Sequence, residues 1–384
     1  MLKLLHTGDL HLDSPFSRLD PGHAHIRRKE LREAFSEMVQ FVRAHFVDML
    51  LIAGDLFDTE FVTRETVEFL RAEFARIPDC KVFITPGNHD PFTEDSVYNR
   101  YGFGDNVYVF PRSMLSHFYF ENLNAYVYGY AFEQESLRHC PFAGYRVEDP
   151  GAYNVLLGHG DFAADTRYCP LSEERIVSFG ADYAAFGHTH NAPDPVTAGG
   201  VTYAHCGCAE GRGFDEVGEK GAIYVEIEKE NGEAKVRTER VRFSRRRYEK
   251  LKVSVDGLST LTAVEDAIRA AVAEGGYGVD TLLRITLTGR IAPSVILSEE
   301  LLAAHVDSVF YAEVKDRTLP LYDVDYLNED PSVKGVFFRM LRPALDSEDE
   351  EQRALATKAL RYGLAAITGE DLAELADEEG TEGL

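Results

Sequence analysis

Residues 8–13, GDLHLD, follow directly on the short apolar run KLLHT at residues 3–7. An apolar run that meets a glycine predicts a β-strand ending in a tight loop. This loop carries a carboxylate at Asp9 and an imidazole at His11. Four further stretches repeat the arrangement of apolar run, glycine and polar side chain: GDLFD (54–58) after DMLLIA, GNHD (87–90) after KVFITP, GHGD (158–161) after YNVLL, and GHTH (187–190) after DYAAF.

Seven polar side chains in these stretches are candidate metal ligands: Asp9, His11, Asp55, Asn88, His159, His188 and His190. Carboxylates, imidazoles and an amide oxygen form a ligand set that manganese, iron, zinc or nickel accepts, and the set contains no thiolate. Polar side chains at the carboxyl ends of adjacent strands gather at one edge of an α/β sheet. We therefore expect the seven side chains to hold two divalent metal ions.

The order of the five stretches resembles that of the calcineurin-like metallophosphoesterases, whose blocks run DxH, GDxxD, GNHD, GH and GHxH. The resemblance implies that Asp55 bridges the two ions. It assigns the remaining ligands to two sites, the first with Asp9, His11 and His190 and the second with Asn88, His159 and His188. It also implies an α/β fold, a four-layer αββα sandwich in which two sheets face each other with helices outside.

Two ions in such a site clamp both oxygens of an in-line displacement at phosphorus and lower the pKa of a shared water. The resemblance gives His89 the task of stabilising the phosphoryl charge or protonating the leaving oxygen, which an imidazole can do near neutral pH. The alternative is that His89 only orients Asn88. Asp58 and Asp90 are expected to fix imidazole tautomers from behind the ligands. Manganese is the expected metal.

Two longer segments, HTGDLHLDSPF (6–16) and GRGFDEVGEKGAIYVEI (211–227), resemble the SbcD and YhaO branch of DNA-repair exonucleases. Arg212 in the second segment could hold a phosphate oxygen through a charge-assisted contact, and an ordinary surface arginine is the alternative. Asp58 stands where nucleases of the double-strand-break branch carry a histidine, in GDLFH. This departure leaves the phosphodiesterase chemistry in place but argues against processive exonuclease action on duplex DNA.

The composition is typical of a soluble, cytoplasmic protein without a membrane span. The hydrophobic share is 45% and the mean hydropathy is −0.24, and no apolar run approaches the length of a bilayer span. Five cysteines without a CxxC pair favour a reducing compartment, and we interpret Cys206 and Cys208 as loop residues, not ligands. A cleaved signal peptide is not expected, because Asp9 and His11 would leave with it.

Net charge and its distribution bear on the substrate. The net charge of −25 opposes DNA binding by bulk attraction. Residues 237–252, however, hold eight basic against two acidic residues, whereas residues 346–384 hold three basic against twelve acidic ones. The basic stretch could steer a phosphate backbone, with Arg245, Arg246 and Arg247 at the base of a groove. The alternative is a solvated strand face in an ordinary linker.

Periodicity predicts a βαβ order, with a helix over 29–46, a strand at 48–53, a helix near 64–76 and a strand at 81–85. After residue 101, the runs VYVF, SHFYFE and NAYVYGY alternate at short spacing and predict a second, mixed sheet. A small α+β unit should follow, with strands at 251–256, 281–288 and 309–314 and helices at 260–274 and 298–305.

Three domains are predicted: residues 1–245 as the catalytic domain, 250–330 as a capping domain, and 331–384 as a helical, acidic extension that frays after about 369. The resemblance implies that the capping domain lies over the active site. It also implies that the extension anchors a coiled-coil ATPase of the SbcC or YhaN type.

We predict a dinuclear-metal phosphodiesterase, a nuclease-type enzyme acting on DNA ends or single strands in repair, and a homodimer is compatible with it. A phosphatase or small-molecule phosphodiesterase would use the same metals, but the SbcD-like segments and the capping domain disfavour it. A metal-binding, inactive subunit of an ATPase complex is a further alternative, which the presence of both Asn88 and His89 argues against. A general nucleic-acid-binding module is the weakest hypothesis, because the net charge has the wrong sign.

Overall fold

A computed structural model describes residues 1–58, 62–163, 165–230, 232–292, 295–321 and 324–368. The chain divides into two compact units, one of residues 1–249 with 279–282 and one of residues 250–278 with those from 283 onward. The predicted fraying after residue 369 lies outside the described residues. Within the described ranges, no helix has both the length and the apolar composition needed to cross a bilayer.

Two six-stranded sheets form the first unit. Across the first sheet the strands are β12 (Glu233–Arg242), β11 (Gly221–Glu230), β1 (Leu2–Thr7), β2 (Met49–Ile52), β3 (Lys81–Ile84) and β4 (Val107–Val109). Strands β1 to β4 are parallel, β11 pairs antiparallel with β1, and β12 pairs antiparallel with β11. The parallel strands therefore send their carboxyl ends to one edge.

Across the second sheet the strands are β5 (Ser116–Phe120), β6 (Ala125–Gly129), β7 (Tyr153–His159), β8 (Tyr183–Gly187), β10 (Val201–His205) and β9 (Val196–Ala198). Strands β6, β7, β8 and β10 are parallel, and the two edge strands pair antiparallel with their neighbours. The sheet is mixed, as predicted.

Three apolar cores separate the four layers of this unit, which confirms the predicted αββα sandwich. The helices are α1 (Pro21–His45), α2 (Arg64–Ala75), α3 (Val97–Arg100) and α4 (Glu173–Phe179). Neighbouring residues of one strand enter different cores. Leu50 packs in the core that includes α1 and α2, whereas Leu51 packs in the core between the sheets. Leu157 also packs between the sheets, whereas Leu156 packs with α4. Because both faces are covered, the central strands are apolar throughout.

Two predictions about this unit need correction. The run VYVF does not begin the second sheet, since β4 extends the first sheet with Val107 beside Val82. A strand of three residues has too little alternation to reveal its sheet. Helix α1 begins at Pro21, well before residue 29, because the Asp20 carboxylate accepts hydrogen bonds from the N–H groups of Gly22 and His23.

The second unit contains most of a three-stranded sheet of β13 (Arg247–Ser254), β14 (Thr281–Ile291) and β15 (Tyr311–Pro320), with helices α5 (Leu261–Glu274) and α6 (Glu299–Ala304). The first residues of β13 and β14, 247–249 and 281–282, belong to the first unit. Val264, Ile268 and Val272 of α5 recur every fourth residue and pack with Leu283 and Ile285 of the sheet. Helices α7 (Val324–Glu329), α8 (Val333–Leu345) and α9 (Glu350–Thr368) follow. The strands and helices predicted at 251–256, 260–274, 281–288, 298–305 and 309–314 correspond to β13, α5, β14, α6 and β15, and β15 extends further, to Pro320. Helix α7 lies within the range predicted for the capping domain, and α8 and α9 lie within the predicted helical extension.

Candidate metal centre

Loops from both sheets build the candidate site. Asp9, His11, Asp55 and Asn88 follow β1, β2 and β3, and His159, His188 and His190 lie at the ends of β7 and β8. Within the first sheet, the Asp9 N–H donates to the Gly54 carbonyl at 3.0 Å. Between the sheets, the His188 N–H donates to the Asp9 carboxylate at 2.9 Å. Hydrogen bonds between protein groups alone therefore join these loops.

The predicted ligands form two clusters. Ligand atoms of Asp9, His11 and His190 lie within 4.8 Å of one another, and so do those of Asp55, His159 and His188. In the first cluster, the two imidazole Nε2 atoms are 3.3 Å apart. In the second, Asn88 Oδ1 lies 3.0 Å from His159 Nε2 and 3.2 Å from His188 Nδ1. The structure therefore brings together all seven predicted ligands.

Asp55 joins the two clusters through a single oxygen. Its Oδ2 lies 3.8 Å from His11 Nε2 and 3.4 Å from His159 Nε2. Its Oδ1 accepts a hydrogen bond from the His89 N–H at 2.9 Å. The carboxylate thus has the position of a bridging ligand, but one oxygen faces both clusters instead of each oxygen facing one.

The hydrogen bonds behind the imidazoles of His11 and His190 test whether a cation fits within the first cluster. His11 Nδ1 is 2.7 Å from Asp58 Oδ1, and His190 Nδ1 is 2.7 Å from Glu216 Oε1. A carboxylate only accepts, so both Nδ1 atoms donate, and in neutral rings both Nε2 atoms present lone pairs to each other. A metal ion between them would satisfy both lone pairs. The donor set of the first cluster therefore fits one of the two ions that the sequence predicts.

The pKa shifts of the buried ligands also indicate that the site favours the binding of positive charge. Burial raises the pKa of Asp9 to about 6. Burial opposes protonation of His159, but Asp55 and Asp9 outweigh it and raise its pKa to about 9. Burial likewise acts to raise the pKa of Asp55, yet the imidazoles of His159 and His11 bring it below its ordinary value. Protons and metal ions compete for the same buried negative charge.

Strained backbone and close packing accompany these ligands. Four predicted ligands adopt positive φ angles: Asp9 (47°), His11 (42°), Asp55 (49°) and His188 (96°). Such residues cost roughly 1–3 kcal/mol each and are found at sites where the surrounding structure fixes them. Glycines make the approach possible. A Cβ on Gly187 would lie 1.9 Å from the Ala53 carbonyl oxygen, and one on Gly54 would lie 2.3 Å from His159 Nδ1.

We predict that Gly187→Ala lowers the free energy of unfolding by at least about 1–3 kcal/mol, because the added methyl group must push two loops apart. Thermal melting and bound metal per chain measure the effect, and both should fall. Gly102→Ala is the matched control, since a Cβ added there would have nothing within 4 Å. Equal melting temperatures for the two variants would contradict the packing argument.

The three predicted catalytic residues lie beside the first cluster. The His89 side chain is 52% exposed, and its Nδ1 lies 3.4 Å from Asp58 Oδ1. Arg212 Nη1 lies 3.5 Å from Asp58 Oδ2. The Arg212 side chain is 19% exposed, so it is not an ordinary surface arginine. Asp58 contacts His11, His89 and Arg212, and none of these contacts requires it to face a substrate.

Sequence reasoning missed Glu216 and misjudged Asp90. Glu216 orients His190, and although burial opposes its ionisation, hydrogen bonding to His190 and the charge of Arg212 lower its pKa to about 2. The only signal in the sequence was its place in the SbcD-like segment. Asp90 does not hold an imidazole. It accepts from the N–H groups of Leu56 and Gly87 and from the Tyr98 hydroxyl, and so fixes the Asp55 loop.

The three consecutive arginines of the basic stretch form ion pairs, and Arg245 and Arg246 pair with acidic residues of α1. Arg245 lies 2.7 Å from Glu37, and Arg246 lies 2.7 Å from Glu30. Arg247 approaches Glu249 at 3.9 Å and Asp280 at 4.0 Å. These acidic partners offset the charges that were predicted to meet phosphates. The hypothesis of a phosphate-binding groove floor at Arg245–Arg247 therefore loses its main support.

Residues 2–192 match the calcineurin-like phosphoesterase family. The chain is 29% identical over 238 residues to the uncharacterized metallophosphoesterase YhaO of Bacillus subtilis, a match covering 59% of this chain and 57% of YhaO. It thus spans less than two thirds of that relative.

Two further relatives carry names that refer to nucleic acid. The DNA double-strand break repair protein Mre11 of Aeropyrum pernix is 27% identical over 294 residues, covering 71% of this chain and 69% of Mre11. The SbcD component of the SbcCD nuclease of Rhodobacter capsulatus is 31% identical over 94 residues, covering 23% of this chain and 22% of that relative.

Proposed function

Because this chain belongs to the calcineurin-like metallophosphoesterases through residues 2–192, a family of metal-dependent phosphoester hydrolases, we propose that it is a nuclease acting on DNA ends or single strands. The observation that carries the proposal is the extent of the match to Mre11. That match covers 294 residues, whereas the family match covers residues 2–192. The similarity to Mre11 therefore extends beyond the part of the chain that the family match covers.

The residues of the site have separable tasks in this proposal. Asp9, His11 and His190 would hold one ion, Asn88, His159 and His188 would hold the other, and Asp55 would contribute to both sites. Two bound cations, with manganese expected, supply Lewis acidity toward the phosphoryl oxygens and lower the pKa of the attacking water. His89 reaches solvent from beside the first cluster and meets the substrate, where it donates a proton or a hydrogen bond to the developing charge. Arg212 offsets negative charge beside His89.

A partner surface on the second unit extends the proposal. Val333, Val336 and Met340 recur at helical spacing on α8, with exposed fractions of 69%, 46% and 76%. The Rhodobacter relative is named as one component of the SbcCD nuclease. We include in the proposal a coiled-coil ATPase partner of the SbcC or YhaN type that covers this apolar face.

A substrate panel tests the proposed function. The full chain, loaded with Mn²⁺, is given bis(p-nitrophenyl) phosphate, p-nitrophenyl phosphate, and end-labelled single- and double-stranded DNA. We expect hydrolysis of the diester and cleavage of single strands and duplex ends, with the monoester the poorer substrate. The same chain freed of metal by chelation and dialysis should be inactive until Mn²⁺ is restored.

The outcomes separate the hypotheses. Monoester hydrolysis without DNA cleavage would identify a phosphatase, and diester hydrolysis without DNA cleavage would identify a small-molecule phosphodiesterase. A chain that binds two Mn²⁺ yet hydrolyses none of the four substrates would be a non-catalytic subunit. Full activity after chelation would contradict a metal mechanism altogether.

A further inference from the structure

Two carboxylates and one guanidinium lie behind the imidazoles of the first cluster. Asp58 accepts the His11 Nδ1–H, and Glu216 accepts the His190 Nδ1–H, both at 2.7 Å. Arg212 lies between the two acids, with Nη1 3.5 Å from Asp58 Oδ2 and Nη2 3.5 Å from Glu216 Oε1. We call Asp58, Arg212 and Glu216 the outer triad.

The outer triad is held rigidly. Its side chains are 13%, 19% and 7% exposed, in the order just given, so solvent screens them weakly. The Arg212 backbone N–H also donates to Glu216 Oε2 at 2.7 Å, which leaves Glu216 Oε1 directed at His190. Arg212 thereby offsets the charge of two carboxylates that would otherwise repel each other. Glu216 and Asp58 can both remain ionised beside the imidazoles.

Behind His159 of the second cluster, the described hydrogen bond goes to a backbone carbonyl, and Asp9 Oδ1 lies further away, 4.0 Å from Nδ1. His159 Nδ1 lies 2.9 Å from the Ala53 carbonyl oxygen, a neutral acceptor. Asn88, the amide ligand of the second cluster, is neutral too. The corresponding ligand of the first cluster, Asp9, is a carboxylate. A carboxylate behind an imidazole raises the basicity of the nitrogen that faces the metal, more than a neutral carbonyl does. The first cluster therefore has a carboxylate hydrogen-bonded behind each of its two imidazoles, whereas the described hydrogen bond behind His159 ends on a neutral oxygen.

We propose that Glu216 is a positioning residue of the metal centre and that, through the outer triad, the first cluster is the tighter of the two metal sites. The first cluster then fills before the second as metal is added. This inference rests on the dinuclear site of the proposed function and adds an order of loading to it. It also gives Arg212 a task that requires no contact with substrate.

Manganese titration of the full, metal-free chain tests the proposal. Equilibrium dialysis gives Mn²⁺ bound per chain, and electron paramagnetic resonance distinguishes isolated from paired ions. The unchanged protein should bind one ion tightly as an isolated centre and a second more weakly as a pair. Glu216→Gln keeps the shape but removes the charge, so it should weaken the tighter event by roughly 10–100-fold and spare the weaker one.

Glu219→Gln is the matched control. Glu219 lies three residues further along the same segment, with a side chain 57% exposed and paired with Arg242 at 2.6 Å. Its titration should equal that of the unchanged chain. An unchanged titration for Glu216→Gln, or equal weakening of both events, would overturn the proposal.

A second variant covers the case in which Glu216→Gln melts at a much lower temperature. Asp58→Asn removes the other carboxylate of the outer triad and should weaken the same tighter event. If it weakened only the second event, the assignment of the outer triad would be wrong. Failure of the unchanged chain to bind Mn²⁺ at either site would instead contradict the dinuclear site and with it the proposed function.

Discussion

Asp55→Asn is expected to empty the metal centre and abolish hydrolysis. Asp55 Oδ2 faces both clusters while Oδ1 accepts the His89 N–H. An asparagine has one acceptor oxygen and one NH₂ group. If the amide oxygen accepts from the His89 N–H, the NH₂ group points toward both metal positions. If the amide is reversed, the NH₂ group faces the His89 N–H, and two hydrogen-bond donors oppose each other. Metal affinity should therefore fall by more than the roughly 10–100-fold that is typical when a residue hydrogen-bonded to a metal ligand is lost.

Metal content per chain after dialysis against Mn²⁺, measured beside the rate of diester hydrolysis, checks this expectation. Asp95→Asn makes the same chemical change where the carboxylate is 86% exposed and paired with Arg100, so it should alter neither quantity. An Asp55→Asn protein that retained two ions and a measurable fraction of its rate would show that Asp55 does not bridge.

His89→Ala should have the opposite pattern, with both ions retained and kcat reduced by roughly 10²–10⁴-fold. The contact from residue 89 to Asp55 is made by the backbone N–H, which alanine keeps. What disappears is an imidazole that is 52% exposed, unlike the buried ligands beside it. The loss should therefore appear in turnover, since the side chain acts where charge develops in the transition state.

The measurement pairs single-turnover rates with Mn²⁺ bound per chain. His25→Ala, on the exposed face of α1, is the control and should behave as the unchanged protein. The rival hypothesis, in which His89 only orients Asn88, predicts that metal is lost along with rate. Turnover at the unchanged rate would remove His89 from the mechanism.

The metal ligands were predictable from the sequence, because metal binding requires particular residue types at fixed positions after the strands. Each ligand had to follow a strand and lie near a glycine, and the structure shows why. Gly54 and Gly187 let loops of different sheets approach until a methyl group would overlap a neighbour. The αββα layers were predictable for a similar reason, since strands such as Met49–Ile52 are apolar on both faces.

The parts that escaped prediction depend on partners far apart in the chain. Glu216 lies 26 residues from His190, and nothing local shows that its carboxylate meets the imidazole. The charges of Arg245 and Arg246 suggested a phosphate contact until the fold placed Glu37 and Glu30 opposite them. Residue type predicts what a side chain can do, but its partners depend on tertiary contacts.

The joining of the two sheets at the centre has a consequence for biosynthesis. Asp9 meets the His188 N–H across 179 positions of sequence, and His11 faces His190 across the same separation. A growing chain emerges from the ribosome with its amino terminus first. Asp9, His11 and Asp55 are therefore synthesised well before the histidines that complete the site, His159, His188 and His190. The first ion can find its full set of ligands only after residue 190 has left the exit tunnel, and the second ion only after residue 188 has done so. Metal binding is therefore a late step in the folding of this domain. A filled metal centre indicates that the two sheets have packed together.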